Sequence, residues 1–413
     1  MINRDSYLQQ LINKKENGLI KVITGIRRSG KSYLLDPIFR NYLIAEGVAE
    51  DHIIKIELDR SANRKYYHDA EAFDAYVRSF VKDAATTYYI ILDEIQLVEG
   101  FEYVLNGFLY ERNLDVYVTG SNSRFLSADI ITEFRGRGDQ IHVRPLSFSE
   151  FYSAHNGDKD DAWEEYLTYG GMPLILSMKT DAEKAKYLKD LFEYTYFRDI
   201  VDRHGIKRID VLDAMVNLLA SSVGSLTNPQ KIFDTFRSCG EKELSQNTVT
   251  SYLSCLEDSF IVQKALRYDV KGRKYIGTPQ KYYFADLGLR NARLNFRQQE
   301  ETHLMENAIY NELCFRGYNV DAGVVEIREG NRRIRTEIDF VCNQGYQRYY
   351  IQSALTLDTA EKTLQESRSL NHTGDSFRKI IIVRDKIKPW KTEDGILVIG
   401  LLDFLLNPEA MDR

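Results

Sequence analysis

Short apolar runs typical of strands alternate with amphipathic patterns typical of helices over residues 18–143 of the chain. An apolar, β-branched run at 18–24 stops at glycines, and a helical pattern begins at Lys31. The same signals predict further strands at 53–58, 88–92, 114–118 and 140–143 and helices near 70–84, 101–111 and 123–132. Strands that alternate with helices are typical of a parallel sheet with helices on both faces. This part of the chain is therefore predicted to have an α/β fold.

The pattern changes in the middle of the chain and again near its end. Residues 161–260 are mostly helical in pattern, and from 211 onwards three helices precede two strands. This order predicts a winged helix-turn-helix whose third helix is 245–258, with Ser245 as its N-cap. From 302 onwards helices and strands alternate again, which predicts another α/β region. We therefore predict three domains, at 1–155, 156–290 and 291–413.

Composition and cysteine spacing narrow the class of protein. The chain has 413 residues, of which 43% are hydrophobic and 28% are charged, as in soluble globular proteins. Because the net charge is −6, any contact with nucleic acid must use a local basic patch. The four cysteines have no C-x-x-C spacing and no clustered histidines, which argues against a zinc site and favours the reducing cytoplasm. No signal peptide or membrane-spanning run is recognised, so no membrane partner is expected.

The strongest motif is a glycine loop between the first strand and the first helix of the pattern. Residues 25–32 read G-I-R-R-S-G-K-S and match G-x-x-x-x-G-K-[ST]. In this motif backbone N–H groups surround phosphate oxygens, the lysine reaches the β- and γ-phosphates, and the serine ligates Mg²⁺. The helix N-terminus adds a positive dipole end. The predicted nucleotide-binding residues are Gly25, Arg28, Ser29, Gly30, Lys31, Ser32 and Tyr33.

A second acidic signal follows the strand predicted at 88–92. Asp93 and Glu94 come directly after this apolar run, which would carry both carboxylates to the edge of the sheet beside the glycine loop. Asp93 is predicted to hold Mg²⁺ together with Ser32. Glu94 is predicted to polarise the attacking water as a general base. Two solvated carboxylates after a strand are the alternative.

Several motifs resemble those of a known family. The chain is similar to a widespread bacterial and archaeal group of AAA-type P-loop ATPases that carry a C-terminal domain of unknown function. The resemblance covers nearly the whole chain and implies ATP binding and hydrolysis, but it names no substrate or pathway. The segments that carry it are 21–32, 92–96, 120–123, 145–151, 170–173 and 281–289.

The AAA-type resemblance implies two further groups near the phosphates. A polar residue follows the strand between the glycine-loop and Asp-Glu strands, and Asn122, Thr119 or Ser121 suits that sensor role; a simple turn is the alternative. Arg135 or Arg137, just before the fifth strand, suits an arginine finger that acts on a neighbouring subunit. A solvated basic loop is the alternative. A finger acting between subunits would require a homo-oligomer.

The predicted winged helix offers a surface for double-stranded DNA. Gln246, Asn247 and Thr248 begin its third helix and could hydrogen-bond base edges. Residues 264–281 contain six lysines and arginines and one acid, with tyrosines between them. Such a local basic segment is a phosphate-binding footprint. Winged helices also serve protein contacts, so a protein partner stays open.

The last domain resembles the restriction-endonuclease-like fold. Glu306 and Asp339 fit the first two acids of such nucleases, and Gln352 fits the first position of the following Glu/Gln-x-Lys motif. Ala354 stands where that motif has its lysine. Because the cation that would activate water is missing, we predict a nuclease-like domain without nuclease activity.

These signals together predict a Mg²⁺-dependent ATPase. Its ATP or ADP state would control DNA or protein binding by the C-terminal half of the chain. A slow nucleotide-dependent switch or scaffold for a protein partner is the second hypothesis. An ATP-dependent DNA nuclease is the third, and Ala354 weighs against it.

Overall fold

The chain folds into two compact units, Met1–Pro145 and Leu146–Arg413. The structure is a computed structural model that describes residues 2–120, 137–241, 243–298, 300–330 and 332–413. The predicted boundary at 290 falls inside the second unit. The predicted helix near 123–132 lies outside the described residues.

The first unit is built on a parallel sheet. Its described strands lie in the order β2-β3-β4-β1-β5, and each adjacent pair is parallel. The α/β fold class predicted from the alternating pattern is therefore confirmed. The elements are α1 (Asp5–Lys14), β1 (Ile20–Thr24), α2 (Lys31–Tyr33), a π-helical segment (Leu34–Phe39), α3 (Arg40–Ala45), β2 (Ile53–Glu57), α4 (Ala70–Arg78), β3 (Tyr88–Asp93), α5 (Phe101–Phe108), β4 (Leu114–Thr119) and β5 (Gly138–His142).

Two of the central strands are buried along their whole length. Every residue of β1 and β3 is buried, as expected for parallel strands that are covered on both faces. One core cluster packs alternate residues of these strands, such as Ile90 and Leu92, against Phe101 and Leu105 of α5. Because the strands are parallel, their carboxyl ends meet at one edge of the sheet. The glycine loop, Asp93 and Thr119 all lie at this edge.

The second unit begins with helices and continues into a sheet. Capping boxes at Ser147 with Glu150 and at Thr180 with Glu183 begin two of the helices. Ser245 caps the third helix of the predicted winged helix, and its hydroxyl accepts a hydrogen bond from the Thr248 N–H at 3.1 Å. The helices before the sheet are α6 (Phe148–Ala154), α7 (Lys159–Tyr169), α8 (Asp181–Leu191), α9 (Arg198–His204), α10 (Ile209–Ser221), α11 (Pro229–Ser238) and α12 (Gln246–Asp258).

Eight described strands of the second unit form one sheet, in the order β12-β13-β11-β10-β9-β8-β6-β7. The two strands that follow α12 pair with each other, as a wing would, but β6 also pairs in parallel with β8. The predicted winged-helix and nuclease-like regions therefore share a sheet. The remaining elements are β6 (Val262–Asp269), β7 (Lys274–Phe284), α13 (Leu287–Arg293), α14 (Glu301–Phe315), β8 (Asn319–Glu329), β9 (Arg332–Gln344), β10 (Gln347–Ala354), α15 (Ala360–Leu370), β11 (Arg378–Val383), β12 (Trp390–Lys391), β13 (Leu397–Gly400) and α16 (Leu401–Leu406).

Two of the family-like segments, 170–173 and 281–289, hold each other in place within this unit. The Asp286 carboxylate is buried and accepts hydrogen bonds from the N–H groups of Gly171 at 2.7 Å and Leu289 at 2.9 Å. Gly170 has φ +72°, and a Cβ there would lie 2.3 Å from an Asp286 oxygen. Burial raises the pKa of Asp286 to about 6, although the backbone donors oppose this rise. These segments therefore have a structural role.

Candidate functional site

The predicted glycine loop lies between β1 and α2, the context that its motif requires. Gly25 has φ +138°, and a Cβ there would lie 2.0 Å from the carbonyl oxygen of Val143. Gly30 has φ +98°, and Arg28 also has a positive φ, of 61°. Such backbone conformations strongly favour glycine at the first two positions. Tyr33, which ends α2, is exposed at the surface.

Lys31 is buried at the base of this loop. Its Nζ donates hydrogen bonds to the carbonyl oxygens of Gly25 at 3.0 Å and Ile26 at 3.1 Å. Burial lowers the pKa of Lys31 to about 8, against the opposing charges of Glu94 and Asp93. An ammonium group that has lost most of its hydration and contacts neutral carbonyls is stabilised when an anionic ligand such as phosphate binds beside it.

Ser29 has an unused polar group inside the loop. Its side chain is fully buried, and its Oγ has no hydrogen-bond partner among the described residues. Buried hydroxyls are normally satisfied, so an orphan inside a phosphate-binding motif fits an oxygen-rich ligand. The loop therefore fits the phosphates of a nucleotide.

Three polar side chains meet beside this loop. The Ser32 hydroxyl donates to Asp93 Oδ1 at 3.1 Å, and the Thr119 hydroxyl donates to the same oxygen. Thr119 Oγ1 also accepts a hydrogen bond from the Glu94 N–H at 3.0 Å. Burial raises the pKa of Asp93, and the two hydroxyl donors oppose this rise. The predicted metal-binding pair, Ser32 and Asp93, is thus brought together, and Thr119 connects it to the next strand.

Glu94 follows Asp93 in a left-handed conformation, with φ 56°. This region is uncommon for residues other than glycine, and such outliers concentrate at functional sites. Its carboxylate accepts a hydrogen bond from Gln96 Nε2. Gln96 ends one of the family-like segments, but no sequence pattern assigns it a role.

His142, at the end of β5, lies near the glycine loop, and the sequence pattern does not identify it as part of the site. Its Nδ1 lies 3.2 Å from the Thr24 hydroxyl at the end of β1. Burial, with the charges of Arg144 and Lys31, lowers the pKa of His142 to about 3, so the ring is neutral. No spacing in the sequence identifies a histidine that reaches the loop from another strand.

The predicted sensor and arginine-finger residues are only partly described. Asn122, Ser121 and Arg135 lie outside the described residues. Arg137 is exposed, its carbonyl accepts from the Ile20 N–H at 3.0 Å, and its guanidinium lies 5.9 Å from the ring centre of Tyr110. Ile20 begins β1, so Arg137 lies at the edge of the sheet opposite the glycine loop of its own chain.

The second unit brings together the predicted nuclease-like residues and Lys281, which the sequence analysis counts in the basic segment 264–281 but which is buried and cannot contact DNA phosphates. Three carboxylates, Glu306, Glu337 and Asp339, surround Lys281 Nζ at 2.8, 2.5 and 3.5 Å; we call them the carboxylate cluster. Burial alone would lower the pKa of Lys281, but these carboxylates raise it above its usual value. The predicted residue Gln352 accepts from the Asp339 N–H at 3.4 Å.

The carboxylate cluster does not form a metal centre. Among the described residues, no group of three or more His, Cys, Asp and Glu side chains is arranged to hold a metal ion. In the carboxylate cluster the position between the acids is taken by the ammonium of Lys281. The Tyr283 hydroxyl also donates to Glu306, at 2.6 Å.

Within the described ranges, no helix is both long and apolar enough to cross a bilayer.

The parallel sheet and its glycine loop define a P-loop nucleotide-binding protein. A family model described as an AAA domain matches residues 17–152, and a domain of unknown function (DUF8612) matches residues 160–300. An uncharacterized protein of Haemophilus influenzae is 35% identical over 98% of this chain and 99% of its own length. The chain therefore belongs to a family in which an AAA-type P-loop domain precedes a C-terminal domain of unknown function.

Three further proteins are more distantly similar to this chain. An uncharacterized protein of Methanocaldococcus jannaschii is 26% identical over 83% of this chain and 75% of its own length. AMPPCP-bound DnaA from Aquifex aeolicus is 13% identical, and the match covers 60% of this chain and 92% of DnaA with a TM-score of 0.32. The Aeropyrum pernix ORC1 protein in complex with DNA is 14% identical over 71% of this chain and 92% of ORC1, with a TM-score of 0.29. At these scores the two structures carry no inference about this chain.

Proposed function

We propose that this protein binds ATP with Mg²⁺ and hydrolyses it to ADP. The observation that carries the proposal is the convergence of Ser32, Asp93 and Thr119 in one hydrogen-bonded group beside the buried ammonium of Lys31. In P-loop ATPases this combination of a hydroxyl, a carboxylate and a lysine serves phosphoryl transfer. The orphan hydroxyl of Ser29 supports the same conclusion.

Each described residue of the site has a role that its position supports. Lys31 would stabilise charge on the β- and γ-phosphates, and the loop N–H groups from Gly25 to Ser32 would bind their oxygens. Ser32 and Asp93 would hold Mg²⁺, which neutralises phosphate charge when bound. Glu94 would orient and deprotonate the attacking water. Thr119 would hold the Asp93 side chain and the Glu94 backbone in position through its two hydrogen bonds. Asn122 stays the proposed sensor.

We also propose that an arginine completes the site from a neighbouring copy of the chain. Arg137 is exposed at the opposite edge of its own sheet, so it would have to act on another subunit. Arg135 stays an equal candidate for this role. The proposal requires a homo-oligomer, at least during turnover.

The second unit is proposed to bind DNA or a protein in a nucleotide-dependent way. Gln246 and Asn247 are exposed at the start of α12, where base edges or a partner protein could be contacted. The winged-helix and nuclease-like assignments, the lack of nuclease activity and the cytoplasmic location stay predictions.

A slow nucleotide switch is a second candidate, and one contact favours it. The Glu94 carboxylate, the proposed general base, accepts a hydrogen bond from Gln96 at Oε2, so a catalytic water competes with this amide for that oxygen. Turnover would then stay low until a partner releases Glu94.

Steady-state hydrolysis with and without a double-stranded DNA duplex separates the two candidates. A coupled ATPase should hydrolyse ATP measurably, and DNA should stimulate it. A switch should retain nucleotide through purification and turn over slowly, whether or not DNA is present. Hydrolysis and ATP binding that are both absent would overturn both candidates.

A further inference from the structure

The strands β8 and β9 extend beyond their neighbours in the sheet. The strand β6 pairs with β8 only at 322–324, and β10 pairs with β9 only at 340–344. Beyond these points, 325–329 and 332–336 form strand pairs only with each other among the described residues. We call these two segments the β8–β9 ribbon. At about 3.4 Å per residue it is roughly 17 Å long.

The two faces of the β8–β9 ribbon differ in character. Val325 and Ile327 are buried in a core cluster of the second unit. Because side chains alternate along a strand, the residues between them point the other way. Cross-strand partners lie on one face, so Arg328 with Arg333 and Glu326 with Arg335 form the outward face. All three arginines are exposed.

A second hairpin adds cations beside this ribbon. The turn between β6 and β7, residues 270–273, runs along β8: the Val270 N–H donates to the Val324 carbonyl at 3.0 Å. Lys271 Nζ donates to the Glu326 carbonyl at 2.8 Å. Arg273 and Lys274 follow directly and are exposed. Residues 54 or more positions apart in sequence thus form one basic surface at the ends of two hairpins, which we call the double-hairpin surface: Lys271, Arg273, Lys274, Arg328, Arg333 and Arg335.

Most of this charge is not neutralised within the protein. Arg333 lies 3.3 Å from Glu326, and Glu329 is paired with Arg368 of α15. The Asp269 carboxylate accepts a backbone hydrogen bond from Gly272. Five of the six cations have no ion pair within 4.0 Å among the described residues, namely Lys271, Arg273, Lys274, Arg328 and Arg335. In a chain of net charge −6, such a local excess favours an anionic partner.

We propose that the double-hairpin surface binds the phosphate backbone of double-stranded DNA. The inference rests on the proposed DNA-binding role of the second unit and assigns it to these hairpins rather than to α12. Guanidinium groups suit phosphate because they donate bidentate hydrogen bonds.

The shape of the ribbon selects the kind of partner. The major groove of B-form DNA admits a two-stranded β-ribbon, whereas the major groove of duplex RNA is too narrow to be read. Tyr275 is the single large apolar side chain exposed on the described tips of the two hairpins, so insertion into a lipid surface is not supported.

Fluorescence anisotropy with a labelled 20-base-pair duplex tests the inference on the full chain. The ribbon variant carries Arg328→Gln, Arg333→Gln and Arg335→Gln, and the turn variant carries Lys271→Gln, Arg273→Gln and Lys274→Gln. The matched control removes three other exposed cations of the same unit that have no ion pair among the described residues: Lys207→Gln, Lys388→Gln and Lys391→Gln. Binding is measured over a series of salt concentrations.

Both test variants should weaken DNA binding by about tenfold or more, and each should make the slope of log K against log salt shallower by about 2 to 3. The control should match the wild type. Three results would overturn the inference: a loss of affinity as large in the control, no loss in either test variant, or tighter binding of duplex RNA than of DNA. An absence of DNA binding by the wild type would also overturn it.

ATP hydrolysis without DNA is measured on the same samples. Normal hydrolysis combined with no effect of the hairpin variants on DNA affinity refutes the surface and leaves the ATPase proposal intact. If the protein does not hydrolyse ATP but its DNA binding depends on the hairpins, the ATPase proposal is refuted and the double-hairpin surface stands.

Discussion

Removing the Lys281 ammonium should destabilise the second unit, and Lys281→Met makes this change while keeping most of the side-chain volume. Lys281 is 2% exposed and contacts all members of the carboxylate cluster. Glu306 and Asp339 are also buried. The variant would therefore leave buried carboxylates without their cation.

The magnitude follows from the cost of an unpaired buried charge. Breaking a buried ion pair by removing one partner costs about 3–5 kcal/mol. Burial and the charge of Asp339 already hold the pKa of Glu306 at about 7, with Lys281 opposing them. A folded-state pKa above the unfolded value of 4.5 means that protonated Glu306 stabilises the fold at low pH and that this stability is lost as pH rises through 7. The loss caused by Lys281→Met should therefore be largest near pH 8 and smaller near pH 5.

Hydrogen exchange of peptides from β7, α14 and β9 measures this loss within the second unit, whatever the first unit does. Lys281→Met with Glu306→Gln and Asp339→Asn should recover part of the protection, because fewer charges then lack a partner. The exposed change Lys388→Met is the control. A loss below about 1 kcal/mol at pH 8, or a loss that grows towards pH 5, would refute the reasoning.

Two predictions concern the glycine loop. Gly25→Ala should abolish ATP binding, because its Cβ would lie 2.0 Å from the Val143 carbonyl oxygen at a φ of +138°. The control is Gly18→Ala, which also has a positive φ but has open space around the position of its Cβ. Equal titration curves of a fluorescent ATP analogue for the two variants would contradict this prediction. ATP affinity should fall as pH rises above about 8, because the Lys31 ammonium, with a pKa of about 8, loses its charge there; an affinity that stays constant from pH 7 to 9.5 in the same titration would contradict it.

Local pattern predicts the position of the glycine loop, which the structure places between β1 and α2. The run that becomes β1 and the glycine motif after it identify the loop, because strand, turn and helix signals there are contiguous. The acidic pair was predicted for the same reason: an apolar run ends at Asp93. The position of Thr119 was named as one of three sensor candidates, and its contact with Asp93 depends on β4 lying between β1 and β3.

Contacts between distant residues could not be predicted from pattern. Lys281 is 25 positions from Glu306 and 58 from Asp339, whereas the nuclease motif predicts its lysine only at position 354, on the strand after Asp339. The pairing of β6 with β8 joins two regions that the sequence divides at 290. Each of these arrangements depends on strand order in the sheet, which a period-two pattern does not encode.

The most direct test of the central claim separates ATP binding from hydrolysis. Wild type, Glu94→Gln and Lys31→Ala are compared in a fluorescent ATP-analogue titration and in a steady-state phosphate-release assay, with the exposed Glu99→Gln as the matched control. We predict that Glu94→Gln binds ATP like the wild type but turns over at least about 10²-fold more slowly, and that Lys31→Ala loses binding. Wild-type turnover by Glu94→Gln, or wild-type affinity in Lys31→Ala, would contradict the account.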